Sequence, residues 1–344
     1  MAFTIRRGTN ISHWLSQSQR RGRERDAFFT ERDVQRIAGM GGGCFDHIRL
    51  PVDEEQLFDA SGDKDPEAFE LLDSALDWCD DAGLRVVVDL HILRSHHFLD
   101  EYDPLLYSDT EEEARFVDLW LQIADHLDWR STDLVAYELL NEPVARDPED
   151  WNRVAMAAYR AIRDREPERT IVLGSNWFNQ HQTFGQLRVP EDDDTILTFH
   201  YYLPMFVTHY TASWWAVGGD YTGPIHYPGR PIADEDLEGL GERLLEAIEA
   251  NSWNEPFGRE TVARDIALPL AVANARGLQL YCGEFGCYER TPEPLRLAWY
   301  RDMLSVFEAN NIAWANWDYK GSFGIVDAQG EETPIAKVLC HPDR

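Results

Sequence analysis

The stretch 85-RVVVDLH-91 is typical of a buried β-strand, because three consecutive β-branched valines stand between polar residues. Seven further runs of similar character occur along the chain, at 4–12, 45–52, 134–142, 170–176, 195–202, 278–285 and 312–319. Amphipathic segments with helical spacing lie between them, such as those at 66–82, 111–128, 149–166, 260–276 and 293–309. Eight strand–helix units in one chain predict a (β/α)8 TIM barrel of the α/β class rather than a doubly wound sheet.

One long segment interrupts this alternation. Residues 203–259 separate the sixth strand from its helix and are rich in aromatic side chains, namely Trp214, Trp215, Tyr221, Tyr227 and Trp253. Because a loop of this length in a compact domain is usually functional, we expect it to form a wall of a cleft and to contain one helix near 233–250. An ordinary capping insertion is the alternative. The chain is thus predicted to be a single domain over 1–344, with an insertion at 203–259.

The charge of the chain limits its partners. It has 62 acidic residues against 32 Lys and Arg, and the formal net charge is −30. Such a charge repels phosphate groups, so neither nucleic acid nor an anionic membrane surface is an expected partner. The basic residues include few lysines, namely Lys64, Lys320 and Lys337. Acidic excess with few lysines resembles proteins of salt-adapted organisms, although a GC-rich genome would explain the preference for arginine equally well.

The cysteines and the N-terminal residues give no sign of a metal site, a membrane span or a signal peptide. The five cysteines are scattered, and the pair at 282 and 287 has no second pair at zinc spacing, so no metal site is expected. No apolar run is long enough for a membrane span, and the first residues lack the apolar core of a signal peptide. We therefore expect a cytoplasmic protein, or a secreted one if a signal peptide has been removed. The oligomeric state stays open.

Polar side chains are predicted at the C-terminal ends of the strands, where barrel enzymes place their active sites. They are Arg49, His91, Asn141, Glu142, His200, Tyr202, Glu284 and Trp317. One histidine or arginine at a strand end is more often structural than catalytic. A whole set at the same end of successive strands instead indicates a site.

Two glutamates of this set stand out. Glu142 and Glu284 end the fourth and seventh strands, so their side chains can face each other across the barrel mouth. Two carboxyl groups about 5–5.5 Å apart are the machinery of a retaining glycosidase, with one as acid/base and the other as nucleophile. Arg49 and Tyr202 are available to keep the nucleophile ionised, and burial could raise the pKa of the acid.

Six motifs now carry a family resemblance. The sequences HIRLPV, VVDLH, YELLNEP, TFHYY, YCGEFG and ANWDYKGSFGIV occur in this order and span nearly the whole chain, from about residue 8 to residue 327. Together they resemble glycoside hydrolase family 5, the cellulase-like retaining β-glycosidases with a (β/α)8 barrel. The resemblance implies hydrolysis of β-linked glucan or gluco-oligosaccharides by two glutamates, without a metal or organic cofactor.

The same resemblance implies a role for each residue of the site. Glu142 would be the general acid/base and Glu284 the nucleophile. Asn141 would bind the 2-hydroxyl of the sugar, His91 would line the same subsite, and Trp317 would be the sugar platform. Arg49, His200 and Tyr202 would orient the carboxylates or tune their pKa values.

The tripeptide Asn-Glu-Pro occurs twice, at 141–143 and 254–256. Glu255 follows a helix-like stretch rather than a strand, so we expect that copy to be a coincidence within the insertion. Trp253 beside it could still contact substrate.

Several alternatives stay open at this point. A β-mannanase or β-mannosidase of the same family fits the motifs equally well, and linkage and endo or exo action depend on how 92–108 and 203–259 fold. A non-catalytic sugar-binding barrel has no need of both Glu142 and Glu284. A metal-dependent barrel hydrolase using His91, His96 and His97 is a weaker rival, which unchanged activity in excess chelator would dismiss.

Overall fold

The computed structural model describes residues 3–99 and 104–342, which form a closed barrel of eight parallel strands in chain order. The last strand pairs with the first, so the sheet has no free edge. This confirms the predicted (β/α)8 fold. The strands are β1 Arg7–Asn10, β2 His47–Val52, β3 Arg85–Leu90, β4 Val135–Glu138, β5 Ile171–Gly174, β6 Thr195–Tyr201, β7 Gln279–Phe285 and β8 Ala313–Asn316.

Helices surround the barrel, and additional short ones lie in the connecting loops. They are α1 Arg23–Asp26, α2 Glu31–Gly39, α3 Glu54–Leu57, α4 Pro66–Ala82, α5 Leu105–Ser108, α6 Thr110–Leu127, α7 Pro148–Arg165, α8 Asn176–Asn179, α9 Met205–Thr208, α10 Asp234–Leu237, α11 Glu242–Asn251, α12 Arg259–Asp265, α13 Ala267–Arg276, α14 Glu293–Ala309 and α15 Pro334–Cys340. Single 3-10 turns occur at Met40–Gly42, His181–Gln186 and Gly218–Asp220. No helix within the described ranges is both long and apolar enough to cross a bilayer.

The long barrel helices begin and end where the sequence indicates. The side chains of Asp65, Asp109 and Asp147 each accept a hydrogen bond from a backbone N–H in the first turn of α4, α6 and α7. Gly83 closes α4 in the left-handed region, as is usual for a glycine just past a helix. One predicted helix, 260–276, is divided at Ile266 into α12 and α13.

The aromatic content is largely explained by packing. The main apolar core lies between the strands and the helices, and its largest fully buried side chains include Trp14, Trp120, Trp151, Trp299 and Trp314. A smaller cluster fills the lower barrel interior with residues such as Val87, Val172 and Ile196. Five of the twelve tryptophans therefore belong to the main core rather than to a cleft.

The insertion differs from its prediction in one respect. The single helix expected near 233–250 is two helices, α10 and α11, separated by residues 238–241. Gly239 in that connection has φ 88°, a left-handed conformation that ends a regular helix and that glycine adopts easily. The insertion has its own apolar cluster, formed by Phe206, Tyr221, Ile225, Ile232 and Ile248.

Candidate active site

The eight predicted site residues lie at or near the C-terminal mouth, but two of their strand positions need correction. Arg49 does not end β2; it is in the interior of that strand, and its guanidinium is fully buried. Strand β4 ends at Glu138, so Asn141 and Glu142 lie in the loop after it rather than at its last residues. Glu284 is within β7, as predicted. The prediction erred because apolar leucines at 139 and 140 continue the strand-like pattern beyond the last ladder pair.

Arg49 is the centre of the buried polar network. Its guanidinium donates two hydrogen bonds to Glu138, of 2.8 and 2.9 Å, and one of 2.8 Å to Oε1 of Glu284. It also donates to the side-chain oxygens of Asn10 and Asn141, each at 2.9 Å. The planar fork of arginine suits such simultaneous contacts, so this one side chain fixes groups from β1, β4 and β7 relative to one another.

The two glutamates predicted as the catalytic pair face each other. An oxygen of Glu142 and an oxygen of Glu284 lie within 4.8 Å, and Nδ1 of His200 is within the same distance of both. The His200 ring shares a 2.8 Å hydrogen bond with Oε1 of Glu142, while the Tyr202 hydroxyl donates a 2.8 Å hydrogen bond to Oε2 of Glu284. Each carboxyl group therefore has a different hydrogen-bonding environment.

The electrostatic environment also distinguishes the two glutamates. Burial and the negative charge of Glu284 raise the pKa of Glu142 well above its ordinary value. Burial raises the pKa of Glu284 too, but the charge of Arg49 and the hydrogen bond from Tyr202 oppose that rise. Arg49 and Tyr202 thus favour the ionised form of Glu284 as expected, without fully offsetting its burial. Glu142 is the member of the pair better suited to hold a proton.

His91 and Trp317 form a flat surface beside the pair. Their rings are parallel, with an interplanar angle of 9° and centroids 5.6 Å apart. Nδ1 of His91 is 2.7 Å from a carboxylate oxygen of Asp89, and burial lowers the pKa of His91 to about 3, so the ring is neutral. The turn after Glu284 comes close to this surface, since any side chain at Gly286 would collide with the carbonyl oxygen of Trp317.

Three residues of the network escaped the sequence analysis: Asn10, Asp89 and Glu138. Each is fully buried, and each contacts the Arg49 guanidinium. A usable signal was present, because Asp89 and Glu138 are carboxylates inside otherwise apolar strands and such groups are seldom buried without a partner. Burial raises the pKa of both carboxyl groups to about 7, against the opposing charge of Arg49.

Comparison with known proteins gives a consistent result. The family model "Cellulase (glycosyl hydrolase family 5)" matches residues 30–322. The chain belongs to glycosyl hydrolase family 5. Endoglucanase C of Acetivibrio thermocellus is 31% identical over 320 residues, covering 92% of each chain, and Cellodextrinase A of Ruminococcus flavefaciens is 29% identical over 311 residues, covering 90% of this chain and 84% of its own. Among solved structures, Thermotoga maritima Cel5A in complex with cellobiose has a TM-score of 0.76 at 23% identity, covering 97% of each chain.

The predicted family is thereby confirmed, and so is the reaction class: the chain is a retaining β-glycosidase of family 5. The roles of the individual site residues stay predictions, supported by the geometry described above.

The second Asn-Glu-Pro has a structural role in this family 5 glycosidase. Glu255 is exposed in the insertion, outside any helix or strand. Asn254 is buried, and its amide group bonds both the N–H and the C=O of Ile232, at 2.7 and 2.9 Å. The tripeptide there joins two loops of the insertion.

Part of the insertion reaches the active site of the family 5 barrel. Ala212 packs in one apolar cluster with Trp317 and Phe323, and the His209 ring contacts Tyr202 edge-on with centroids 5.2 Å apart. Trp214 is 46% exposed beside Tyr288 and Phe323, so it can contact a ligand in the cleft. Trp215 packs against both this cluster and the insertion's own cluster. The remaining aromatic residues named from the sequence pack elsewhere. Tyr221 and Trp253 pack in or against the insertion's own cluster, and the Tyr227 hydroxyl bonds Asp302 of α14.

The loop after β5 is held against the loop that carries Glu142. The amide of Asn179 donates to the carbonyl oxygen of Asn141, and the backbone N–H of Phe178 donates to that of Pro143. Trp177, which stacks against Phe178, is 46% exposed at this side of the mouth. The sequence analysis did not single out this tryptophan, because it lies outside the six motifs that carry the family resemblance.

The metal-dependent rival has a poor geometric basis. Within the described residues, one group of His, Cys, Asp and Glu side chains is close enough to share a metal ion. It consists of Glu142, His200 and Glu284, and it does not include His91, His96 or His97. A cation at the former group would compete with the Arg49 guanidinium, which already lies 2.8 Å from Glu284. The chelator experiment tests this rival directly. Part of the 92–108 loop, residues 100–103, lies outside the described residues.

Proposed function

We propose that this chain is an endo-acting β-1,4-glucanase in which Glu142 is the general acid/base and Glu284 the nucleophile, and that residues 1–344 work as one catalytic domain. The observation that carries the assignment is the asymmetry of the glutamate pair. Their oxygens lie within 4.8 Å, but only Glu284 is hydrogen-bonded by both Arg49 and Tyr202. The 31% identity to an endoglucanase along 92% of the chain supports the substrate class.

The first chemical step uses both glutamates at once. The Glu284 carboxylate attacks the anomeric carbon, and Glu142 donates its proton to the glycosidic oxygen, so that bond breaks and the leaving chain departs as an alcohol. Arg49 and Tyr202 hold the attacking carboxylate in place, and neutral His200 holds the carboxyl group of Glu142. A glycosyl–Glu284 ester results.

The second step reverses these roles. The Glu142 carboxylate takes a proton from a water molecule, whose oxygen attacks the anomeric carbon and releases Glu284 as a carboxylate. Two inversions at one carbon give net retention. In this mechanism Asn141 binds the 2-hydroxyl, which its hydrogen bond from Arg49 supports, and the reacting sugar lies beside the parallel rings of His91 and Trp317.

The proposal is tested by hydrolysis of cello-oligosaccharides, with mannan and xylan oligomers as comparison substrates. We expect internal cleavage of the glucan. NMR should show that the β-anomer is the first product released. Efficient cleavage of mannan but not of glucan would show that the chain is a mannanase instead. Release of single sugars only would exclude endo action. Release of the α-anomer would contradict the two-step mechanism.

The two Asn-Glu-Pro copies supply a matched pair of variants for the role of Glu142. General acid/base catalysis contributes about 10²–10⁴-fold, so Glu142→Gln should lower kcat/KM by that amount on cello-oligosaccharides. The loss should be smaller on an aryl glucoside with a good leaving group, because its departure needs little protonation. Glu255→Gln should change either rate by no more than about threefold, since exposed surface substitutions are usually mild. An inactive Glu255 variant beside an active Glu142 variant would refute the assignment.

A further inference from the structure

Two thiols of the chain lie together at the end of the barrel away from the glutamate pair. Cys44 stands between the turn at Met40–Gly42 and β2, and Cys340 is the last residue of α15. Cys44 Sγ is also 3.9 Å from the carbonyl oxygen of Leu339, the neighbour of Cys340. Because Cys44 precedes β2, the pair is at the N-terminal face, whereas the catalytic groups are at the C-terminal face.

The backbone at Gly41 lets the two cysteines approach. A Cβ atom at Gly41 would lie 2.5 Å from Cβ of Cys340, 2.6 Å from its Sγ and 3.1 Å from Cβ of Cys44. Both cysteine Cβ atoms are therefore close to a single point, and a side chain at Gly41 would occupy the space between them. Disulfides need Cβ atoms about 3.5–4.5 Å apart, a separation that is compatible with the distances of 2.5 and 3.1 Å from this point. Rotation about each Cα–Cβ bond can then bring the two sulfur atoms together.

Cys44 has the surroundings of a reactive thiol. It is partly exposed, and the hydrogen bond with Cys340 and the positive charge of Arg7 lower its pKa against the effect of burial. The partner thiol has the opposite tendency, because the hydrogen bond with Cys44 and burial raise the pKa of Cys340. The pair thus contains one sulfur that ionises readily and is nucleophilic, namely that of Cys44. The Cys340 thiol stays protonated until it reacts with Cys44.

The remaining cysteines have inert surroundings. Cys79, Cys282 and Cys287 are all buried, and burial raises the pKa of each thiol, in the case of Cys287 to about 12. Oxidation should therefore select Cys44 first.

We propose that Cys44 and Cys340 form a reversible disulfide that ties α15 to the segment leading into β2. With a low-molecular-weight disulfide as oxidant, the Cys44 thiolate attacks one of its sulfurs, forming a mixed disulfide and releasing one thiolate. Cys340 then loses its proton, and its sulfur attacks Sγ of Cys44 and releases the second thiolate. The two cysteines lose two electrons and two protons, and the oxidant is reduced to two thiols.

The bond has a defined effect on the molecule. It closes a ring that contains nearly the whole chain, including all strands except β1. Such a ring reduces the conformational freedom of the unfolded chain, so thermal stability should rise when the disulfide forms. Activity should be unchanged, because the bond lies at the face opposite the glutamates.

The experiment compares the full chain after incubation with oxidised glutathione and with dithiothreitol. We expect the oxidised protein to have lost two hydrogen atoms by intact mass, to yield one linked peptide pair joining Cys44 and Cys340, and to melt on the order of 5 °C higher. Hydrolysis of cello-oligosaccharides should agree within about twofold between the two forms. Cys44→Ser should show neither the mass loss nor the rise in Tm, whereas Cys79→Ala should show both.

Three results would overturn the inference. They are a glutathione adduct that persists on Cys44, a linked peptide containing any other cysteine, and a rise in Tm that is equal in Cys44→Ser. Peptide mapping of the wild-type protein decides the question even if a variant fails to fold. The inference does not depend on the proposed substrate, since an inactive protein could still form the bond.

Discussion

Arg49 connects the pair Glu142 and Glu284 to buried carboxylates deeper in the barrel. Its guanidinium contacts Asp89 at 3.1 Å, Glu138 at 2.8 Å and Glu284 at 2.8 Å, and all of these groups are almost completely removed from solvent. One positive charge cannot balance several ionised carboxylates in so dry a place, and burial accordingly raises the pKa values of Asp89 and Glu138 to about 7. Asp89 and Glu138 therefore bind protons near neutral pH more readily than exposed carboxyl groups do.

The hydrogen bond from Tyr202 to Glu284 gives a pH prediction at this scale. The bond lowers the pKa of Glu284, so Tyr202→Phe should raise that pKa and leave the nucleophile protonated at higher pH. The acid limb of the kcat/KM profile should move to higher pH, while the alkaline limb, set by Glu142, stays in place. At the optimum we expect a loss of about tenfold, consistent with one hydrogen bond to a charged group. An unshifted acid limb would show that Tyr202 does not tune the nucleophile, and Tyr210→Phe in the insertion serves as the control.

At the residue scale, the sequence predicted the glutamate pair and the residues that contact it directly, but not the buried acids behind Arg49. Glu142 and Glu284 could be found because they follow strand-like runs in recognisable motifs. The burial of Asp89 and Glu138 depends on the closure of the barrel around Arg49, which brings β2, β3 and β4 together in three dimensions. The local pattern marks the two acids as carboxylates within apolar strands, but it does not identify Arg49 as their partner.

At the scale of elements, the junction between β2 and α3 contains a buried acid outside the active site. Asp53 is 7% exposed and accepts a hydrogen bond of 2.5 Å from the backbone N–H of Gln17. Burial raises its pKa to about 8. A carboxyl group whose pKa is higher in the folded than in the unfolded chain stabilises the fold at low pH, and that contribution is lost as pH rises towards the folded value.

Asp53→Asn should remove this pH dependence, because the amide keeps the acceptor and cannot ionise. Between pH 5 and 9 the wild type should lose on the order of 4 kcal/mol of unfolding free energy more than the variant, because about 1.4 kcal/mol is lost for each pH unit between pH 5 and the folded pKa of about 8. Urea denaturation at several pH values measures the difference. Parallel pH profiles for the two proteins would contradict the prediction. Asp59→Asn, in an exposed position nearby, is the matched control.

Element boundaries were predictable where local chemistry marks them. Asp65, Asp109 and Asp147 begin α4, α6 and α7, and Gly83 ends α4, so these helices agree with the sequence within a residue. Strand β4 was overestimated because its ladder partner β5 is short, and strand ends depend on the neighbouring strand rather than on the strand's own residues. The break between α10 and α11 was visible as two nearby glycines, but the charged residues around them suggested a continuous helix.

At the scale of the whole molecule, the net charge of −30 sets the response to salt. Close surface carboxylates repel one another, and salt reduces the range of this repulsion from about 10 Å at 0.1 M to about 3 Å at 1 M. We expect Tm to rise, or at least to hold, between those NaCl concentrations, with KCl giving the same result if screening is the cause. A Tm that falls steadily with added NaCl would argue against salt adaptation and leave the barrel and the mechanism unaffected.

The insertion at 203–259 packs partly on its own, so it can change in sequence more freely than the barrel. Its apolar cluster, which includes Phe206, Ile232 and Ile248, is separate from the core that stabilises the barrel, while its first part reaches Tyr202 and Trp317. Substitutions within it can therefore change the shape of the cleft without disturbing the contacts by which the eight strands fold. New substrate preferences can arise on a catalytic framework that stays the same, by selection or by engineered exchange of insertion residues other than Val207, Tyr227 and Phe257, which pack in the barrel core.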